Sequence, residues 1–231
     1  MLNIHRLRGT LIVTMRAESP RRLTHGRREK WQAAGVLLDE SVAGAPVDLA
    51  AIFGNCRPVE LEIGTGKGTF LLARAAARPE LNFLGVEWAR SYAAYAADRC
   101  HRAEVSNVRI LRADATEFVP RGLANGCVWR VHIYFPDPWP KRRHQHRRSL
   151  QVLFLQELHR VLRPGGQLLI VTDHCEYSQH IDRALGQVSG FMALPPLRAD
   201  NAEGELAGTN FERKYRAQQR PVFSIVRMKY V

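Results

Sequence analysis

Apolar positions show no sustained period over residues 1–30, and from Val59 onward they fall into short runs separated by helical stretches. The opening segment therefore predicts an extended, partly flexible arm. Residues 59–63 read as a strand that runs into Gly64, Gly66 and Gly68. A helix rich in Leu and Ala is expected over 70–77, a strand over 83–86 stopping at Glu87, and a helix over 89–103 with small or apolar residues at helical spacing. Strands follow at 108–111, ending near Asp114, and at 128–135, ending at Pro136. Ser149 can cap a helix in which Leu150, Leu153, Phe154, Leu158, Val161 and Leu162 share one face. Pro164-Gly165-Gly166 is expected to stop that helix and turn the chain into a strand over 167–172. A helix through about 178–188 and two strands, near Phe191 and over 222–230, complete the pattern.

Strands alternating with helices predict an α/β fold, a mostly parallel doubly wound sheet with right-handed crossovers. We divide the chain into a basic extension, 1–45, and a domain, 46–231. Such sheets bind ligands beyond the carboxyl ends of their strands. Five successive predicted strands end on or beside an acid here: Glu62, Glu87, Asp114, Asp137 and Asp173.

Charge adds a partner to this picture. The 231 residues carry a net charge of +12, and that balance calls for an anionic surface, nucleic acid or acidic membrane. The excess is local. Residues 1–30 hold eight Lys/Arg against two acids, 141–148 five against none, and 209–231 six against one, so the remainder is net acidic. Three basic segments converging in a fold would track a phosphate backbone, whereas each alone is also what a solvated terminus or loop looks like. No apolar run approaches the ~20 residues that span a bilayer, and Leu11 to Val13 is too short for a signal-peptide core. A cytoplasmic protein is expected. Cys56, Cys100, Cys127 and Cys175 are widely spaced, and the close pair His144 and His146 lies in a basic run that repels cations, so no metal site is expected.

The glycine cluster reads Glu62-Ile-Gly64-Thr-Gly66-Lys-Gly68, not the G-x-G-x-x-G of dinucleotide folds. Glycines let backbone approach a ligand. The acid before them would repel a pyrophosphate and suits the cationic amino-acid end of S-adenosylmethionine. Glu87, ending the next strand, can accept from both ribose hydroxyls, and Asp114 from the adenine amino group. A dinucleotide fold or a structural glycine turn remains the alternative. The fourth strand leads into Phe135-Pro136-Asp137-Pro138-Trp139-Pro140-Lys141. Its prolines stiffen the backbone around Asp137, Trp139 offers a face for base stacking, and Lys141, Arg142, Arg143, Arg147 and Arg148 follow where a phosphate backbone would pass.

Four blocks carry a resemblance: ELEIGTGKG from Glu60, GVEWAR from Gly85, YFPDPWPKRRHQHRR from Tyr134 and GTNFERKY from Gly208, with LRPGGQLLIVTD from Arg163 in support. From about Arg57 to its C-terminus the chain resembles the bacterial-type tRNA (guanine-N7)-methyltransferases. The resemblance implies a Rossmann-like class I methyltransferase fold with an antiparallel C-terminal strand, S-adenosylmethionine as cofactor, and guanine 46 of tRNA as target. It implies donor binding by Glu62, Gly64, Gly66, Glu87 and Asp114, and Asp137 as the catalytic acid. It implies substrate contacts from Lys141, Asp173, Thr209, Asn210, Phe211 and Glu212, while RNA contacts from Arg142, Arg143, Arg147 and Arg148 are expected from the basic run itself. A monomer or homodimer without partner subunit is expected. Residues 1–56 match least.

Guanine N7 has a lone pair and no proton, so its methylation requires no general base. Asp137, with Asp173 or Glu212, can accept from guanine N1–H and N2–H₂ while Trp139 or Phe211 stacks. Two rivals stand. An amino methyltransferase of adenine or cytosine would use an Asp/Asn-Pro-Pro-aromatic motif, which Asp137-Pro138-Trp139 imitates without the second proline. A binding protein that kept the fold and lost the chemistry is the other.

Overall fold

The computed structural model describes residues 2–7, 10–15, 33, 35–44, 46–197 and 206–230. The flexible basic arm expected over residues 1–30 falls in large part, at 16–30, outside the described residues. At its start, β1 (Leu2–Leu7) and β2 (Thr10–Met15) pair antiparallel, Leu2 opposite Met15 and Leu7 opposite Thr10, where the sequence pattern had suggested an extended, partly flexible arm. These strands belong to a unit that ends at Trp31.

The second unit, Gln32–Val231, holds a seven-stranded sheet. Its elements run α1 (Leu49–Phe53), β3 (Val59–Ile63), α2 (Thr69–Ala77), β4 (Asn82–Glu87), α3 (Arg90–Arg102), β5 (Val108–Arg112), α4 (Ala115–Gly122), β6 (Val128–Tyr134), α5 (Val152–Val161), β7 (Leu162–Thr172), α6 (Cys175–Leu185), β8 (Phe191–Leu194), α7 (Asn210–Ala217) and β9 (Phe223–Lys229). The order across the sheet is β5-β4-β3-β6-β7-β9-β8, and β9 runs antiparallel to both its neighbours. The chain winds outward from β3 to one edge, then returns to start the other half at β6. The crevice between β3 and β6 is thus the topological switch point, where doubly wound sheets place their ligands. Residues 36–38, assigned above to the extension, lie along the edge of this sheet: the Leu38 N–H donates to Ile110 and the Ile110 N–H to Val36.

Strand alternation decides what each face holds. Leu61, Val131, Ile133, Leu168 and Ile170 point to one face, where they pack with Phe118 of α4, Leu155 and Leu158 of α5, and Tyr177 and Ile181 of α6 in the main core. Their neighbours Glu60, Glu62, His132 and Tyr134 point to the opposite face, alongside Phe70 of α2.

Helix α5 departs from expectation in two ways. Its N-cap is Gln151, with no side-chain cap bond, so Ser149 is not the cap. Leu153 is 78% exposed and the buried stripe runs Phe154, Leu155, Leu158, Val161. The chain enters β7 directly at Leu162, and the Pro164-Gly165-Gly166 segment is absorbed as an irregularity in its pairing with β6 between Val128 and Arg130. Three helices, α1, α4 and α7, had no forecast from the apolar pattern.

Candidate functional site

The two acids of β3 show how one alternation yields two different jobs. Glu60 and Glu62 are both buried. Glu60 accepts from Arg74 Nε at 3.1 Å, lies 2.9 Å from His132 Nε2, and has Arg130 at 3.7 Å. Burial pushes its carboxyl up, yet His132 and Arg74 outweigh that and hold it at about 2. Burial lowers the His132 imidazole, so at neutral pH a neutral ring donates Nε2–H to Glu60. Its Nδ1 then accepts from the Tyr134 hydroxyl at 2.8 Å. This network ties α2, β3 and β6 together from inside. The sequence reading did not find it.

Glu62 has no such escort. It is 3% exposed, its Oε2 has no hydrogen-bond partner, and burial followed by the nearby Glu87 charge raises its pKa well above the carboxylate range. A buried carboxyl left unsatisfied at the switch point is costly in the ligand-free protein. A cation arriving there would satisfy it.

The glycine loop frames this carboxyl. The Glu87 carboxylate, at the end of β4, accepts from the Gly66 N–H at 2.8 Å and the Ala89 N–H at 2.9 Å. Gly66 has φ +52, and a Cβ there would meet open space, so the loop leaves its ligand side clear. Gly68 is closed instead: φ is +66, and a Cβ would lie 2.8 Å from Ala96 of α3. Arg99 of α3 pins the loop further, donating to the Lys67 carbonyl and to Thr69 Oγ1. Asp114 follows β5 and caps α4, its Oδ1 accepting from Thr116 N–H at 2.8 Å. Glu62, the open glycines, Glu87 and Asp114 therefore stand along the carboxyl ends of three adjacent strands. An orphaned buried carboxyl beside an open glycine cradle fits the ammonium and backbone of S-adenosylmethionine.

Beyond β6 the backbone is strained on both sides of Asp137. Phe135 has φ +52 and Trp139 φ +40, a region bulky L-residues rarely enter. Phe135 N–H donates to Val171 at 2.7 Å, and Asp137 itself is exposed. Arg148 lies inward, contrary to its grouping with the RNA-contacting arginines. It is 4% exposed, its Nε donates to the Pro138 carbonyl at 2.8 Å, and its guanidinium lies 4.9 Å from the Tyr177 ring centre. Lys141, Arg142, Arg143 and Arg147 remain exposed. Trp139 is not an open platform, because Arg147 at 5.1 Å and His144 at 5.9 Å crowd its ring.

Helix α7 brings the last block to this rim. Thr209 caps it, Oγ1 accepting from the Glu212 N–H at 3.0 Å. Asn210 Nδ2 donates to Thr69 Oγ1 at 2.9 Å, joining α7 to the glycine loop. Glu212 is fully buried and accepts from the N–H groups of Leu206, Ala207 and Gly208 and from Arg216 Nε, so it builds its own loop rather than facing a base. Phe211 projects, 50% exposed, against Phe135 and Tyr215. Asp173, at the end of β7, pairs with Arg220.

A family model described as "Putative methyltransferase" matches residues 56–225. The chain is 34% identical to the tRNA (guanine-N(7)-)-methyltransferase of Rhodopirellula baltica over 92% of its own length and 85% of that protein's. It is 36% identical to the enzyme of that name from Syntrophotalea carbinolica, covering 82% and 81% of the two chains. Among solved structures, a 16S rRNA methyltransferase, KamB, superposes with TM-score 0.58 at 16% identity, over 78% of this chain and 94% of that one. A SAM-dependent methyltransferase from Aquifex aeolicus gives TM-score 0.53 at 16% identity, over 83% and 99%. These two share the fold.

Proposed function

The chain belongs to the tRNA (guanine-N7)-methyltransferase family, and from that premise we propose that it methylates N7 of guanine 46 in tRNA with S-adenosylmethionine as donor. The observation that carries the reading is a shared rim. Glu62, with its Oε2 unpartnered, and the Glu87-braced glycine loop stand at the ends of β3 and β4, and Asp137 and Asp173 stand after β6 and β7.

S-adenosylmethionine supplies an electrophilic methyl group on a sulfonium. Glu62 would hold its ammonium, Glu87 its ribose and Asp114 its adenine. Asp137 accepts from the guanine Watson–Crick edge and favours the positive charge that grows on the purine. Phe211, rather than the crowded Trp139, stacks on the base. Because N7 carries no proton, Asp137 acts by orientation and charge and removes nothing. Lys141, Arg142, Arg143 and Arg147 pass the phosphates. Thr209, Asn210 and Glu212 shape the loop that presents Phe211. We further read the basic residues ahead of the sheet-edge segment 36–38, within 1–31, as an extension that adds affinity for tRNA, and the protein as a cytoplasmic monomer or homodimer. No described helix is long and apolar enough to cross a membrane.

Position is tested by chemistry. Borohydride reduction and aniline treatment break an RNA chain at 7-methylguanosine. After incubation of an unmodified tRNA transcript with protein and donor, scission at nucleotide 46 is expected. Scission at another guanine would move the target.

A further inference from the structure

Asp173 lies at the site and is not left to itself. The Arg220 guanidinium pairs with its Oδ2, and the Asp173 side chain is 9% exposed while that of Arg220 is 42% exposed. Arg220 is in turn fixed twice. Its N–H donates to the Tyr215 carbonyl at 3.0 Å, and its guanidinium lies 4.3 Å from the Tyr215 ring centre. That ring stands 5.5 Å from Phe135 and 6.1 Å from Phe211. Burial, and then the charges of Asp173 and Asp137, push the Tyr215 hydroxyl up, so both carboxylates act on the ring that Arg220 covers. Arg220 therefore joins the acid that follows β7 to the aromatic wall presented by α7.

From this arrangement, and resting on the function proposed above, we infer that Arg220 is a specificity-determining positioning residue. By holding Oδ2 of Asp173, it leaves the other carboxylate oxygen to accept from the 2-amino group of a guanine stacked on Phe211. An arginine suits the task because its planar fork fixes direction as well as charge. Neither the glycine loop nor the Asp137 loop supplies an equivalent constraint on Asp173.

The test couples the residue to one substrate group. Transcripts carrying guanine or inosine at the target differ by the 2-amino group alone and keep the N7 nucleophile. Wild-type protein should prefer guanine by about 10–100-fold in kcat/KM, the worth of one hydrogen bond to a buried charge. Arg220→Gln should bring that ratio close to one, as should Asp173→Asn, and Arg220→Lys should restore part of it. A residue that merely supports the fold would lower both substrates equally, so an unchanged ratio in Arg220→Gln overturns the inference. An unchanged ratio in Asp173→Asn overturns it as well, since another group would then read the amino group. Should Arg220→Gln fail to fold by thermal melting, the lysine variant carries the test, and an unchanged ratio there with lost activity counts against the proposal. If wild-type protein makes no 7-methylguanosine on either transcript, the functional reading itself has failed.

Discussion

Arg148 reaches back along the chain to donate from Nε to the Pro138 carbonyl at 2.8 Å, so a buried cation braces the residue next to Asp137. Its charge is spent inside the protein, unlike that of its neighbours. Arg148→Ala should lower stability by about 1.5–3 kcal/mol and reduce turnover, with the salt dependence of tRNA binding unchanged. Arg142→Ala and Arg143→Ala should each flatten the log–log salt slope by roughly 0.7–0.9. Filter binding across a salt series separates the two classes, and a flattened slope in Arg148→Ala would return that residue to the RNA surface.

Glu60 should set the acid limb of stability. Its folded pKa, about 2, lies below the ordinary glutamate value of 4.5. Stability from this group is therefore full above 4.5 and is lost as pH falls toward 2. Glu60→Gln leaves His132 and Arg74 without their shared anion and should cost about 3–5 kcal/mol at neutral pH. Denaturant melts at pH 7 and pH 3 should show the mutant's deficit shrinking at the lower pH.

Glu62 runs the other way. Its folded pKa is raised, so the unfolded chain releases this proton first, and the ligand-free protein loses stability as pH climbs above the ordinary carboxylate range. Glu62→Gln should melt at a higher temperature than wild type at pH 7 without ligand, and should bind S-adenosylmethionine more weakly. Calorimetry in buffers of different ionisation enthalpy should find proton release on donor binding to wild type and none in the mutant.

Glu87→Ala removes both the anchor of the Gly66 N–H and the ribose acceptor. Donor affinity should fall by ~2–4 kcal/mol, with tRNA affinity nearly unchanged. Unaltered donor binding in calorimetry would take Glu87 out of the site.

What the sequence made legible was what repeats along it. The apolar runs located β3 at its observed bounds and β4, β5 and β6 within a residue, because buried strands must be apolar on a short period, whereas β7 begins five residues before its expected start. The acids at strand ends and the glycine cluster could be read because chemistry needs those residue types beside a sheet edge. Helix α7 escaped, since Asn210–Ala217 is largely polar and is held by the Thr209 cap and Glu212 rather than by an apolar face. Arg148 and Glu212 turn inward, which the sequence could not show, because charge alone does not say which way a side chain points. Only the fold shows Arg148 under Pro138 and Glu212 beneath three backbone N–H groups.

Asp137 carries the chemistry by charge and orientation. Asp137→Asn keeps much of the shape and loses the anion, so turnover should fall about 10²–10³-fold, the worth of one preorganised electrostatic contact, while donor affinity stays near wild type. Asp137→Ala should be slower still. Single-turnover rates would decide it, and nearly full activity in the alanine variant would strip the residue of its role.

The most direct measurement is the identity of the product. Unmodified tRNA incubated with the protein and methyl-labelled S-adenosylmethionine, digested to nucleosides and analysed by mass spectrometry, should carry its label in 7-methylguanosine. Label in a methyladenosine or methylcytidine instead, or in no nucleoside at all, would contradict the account.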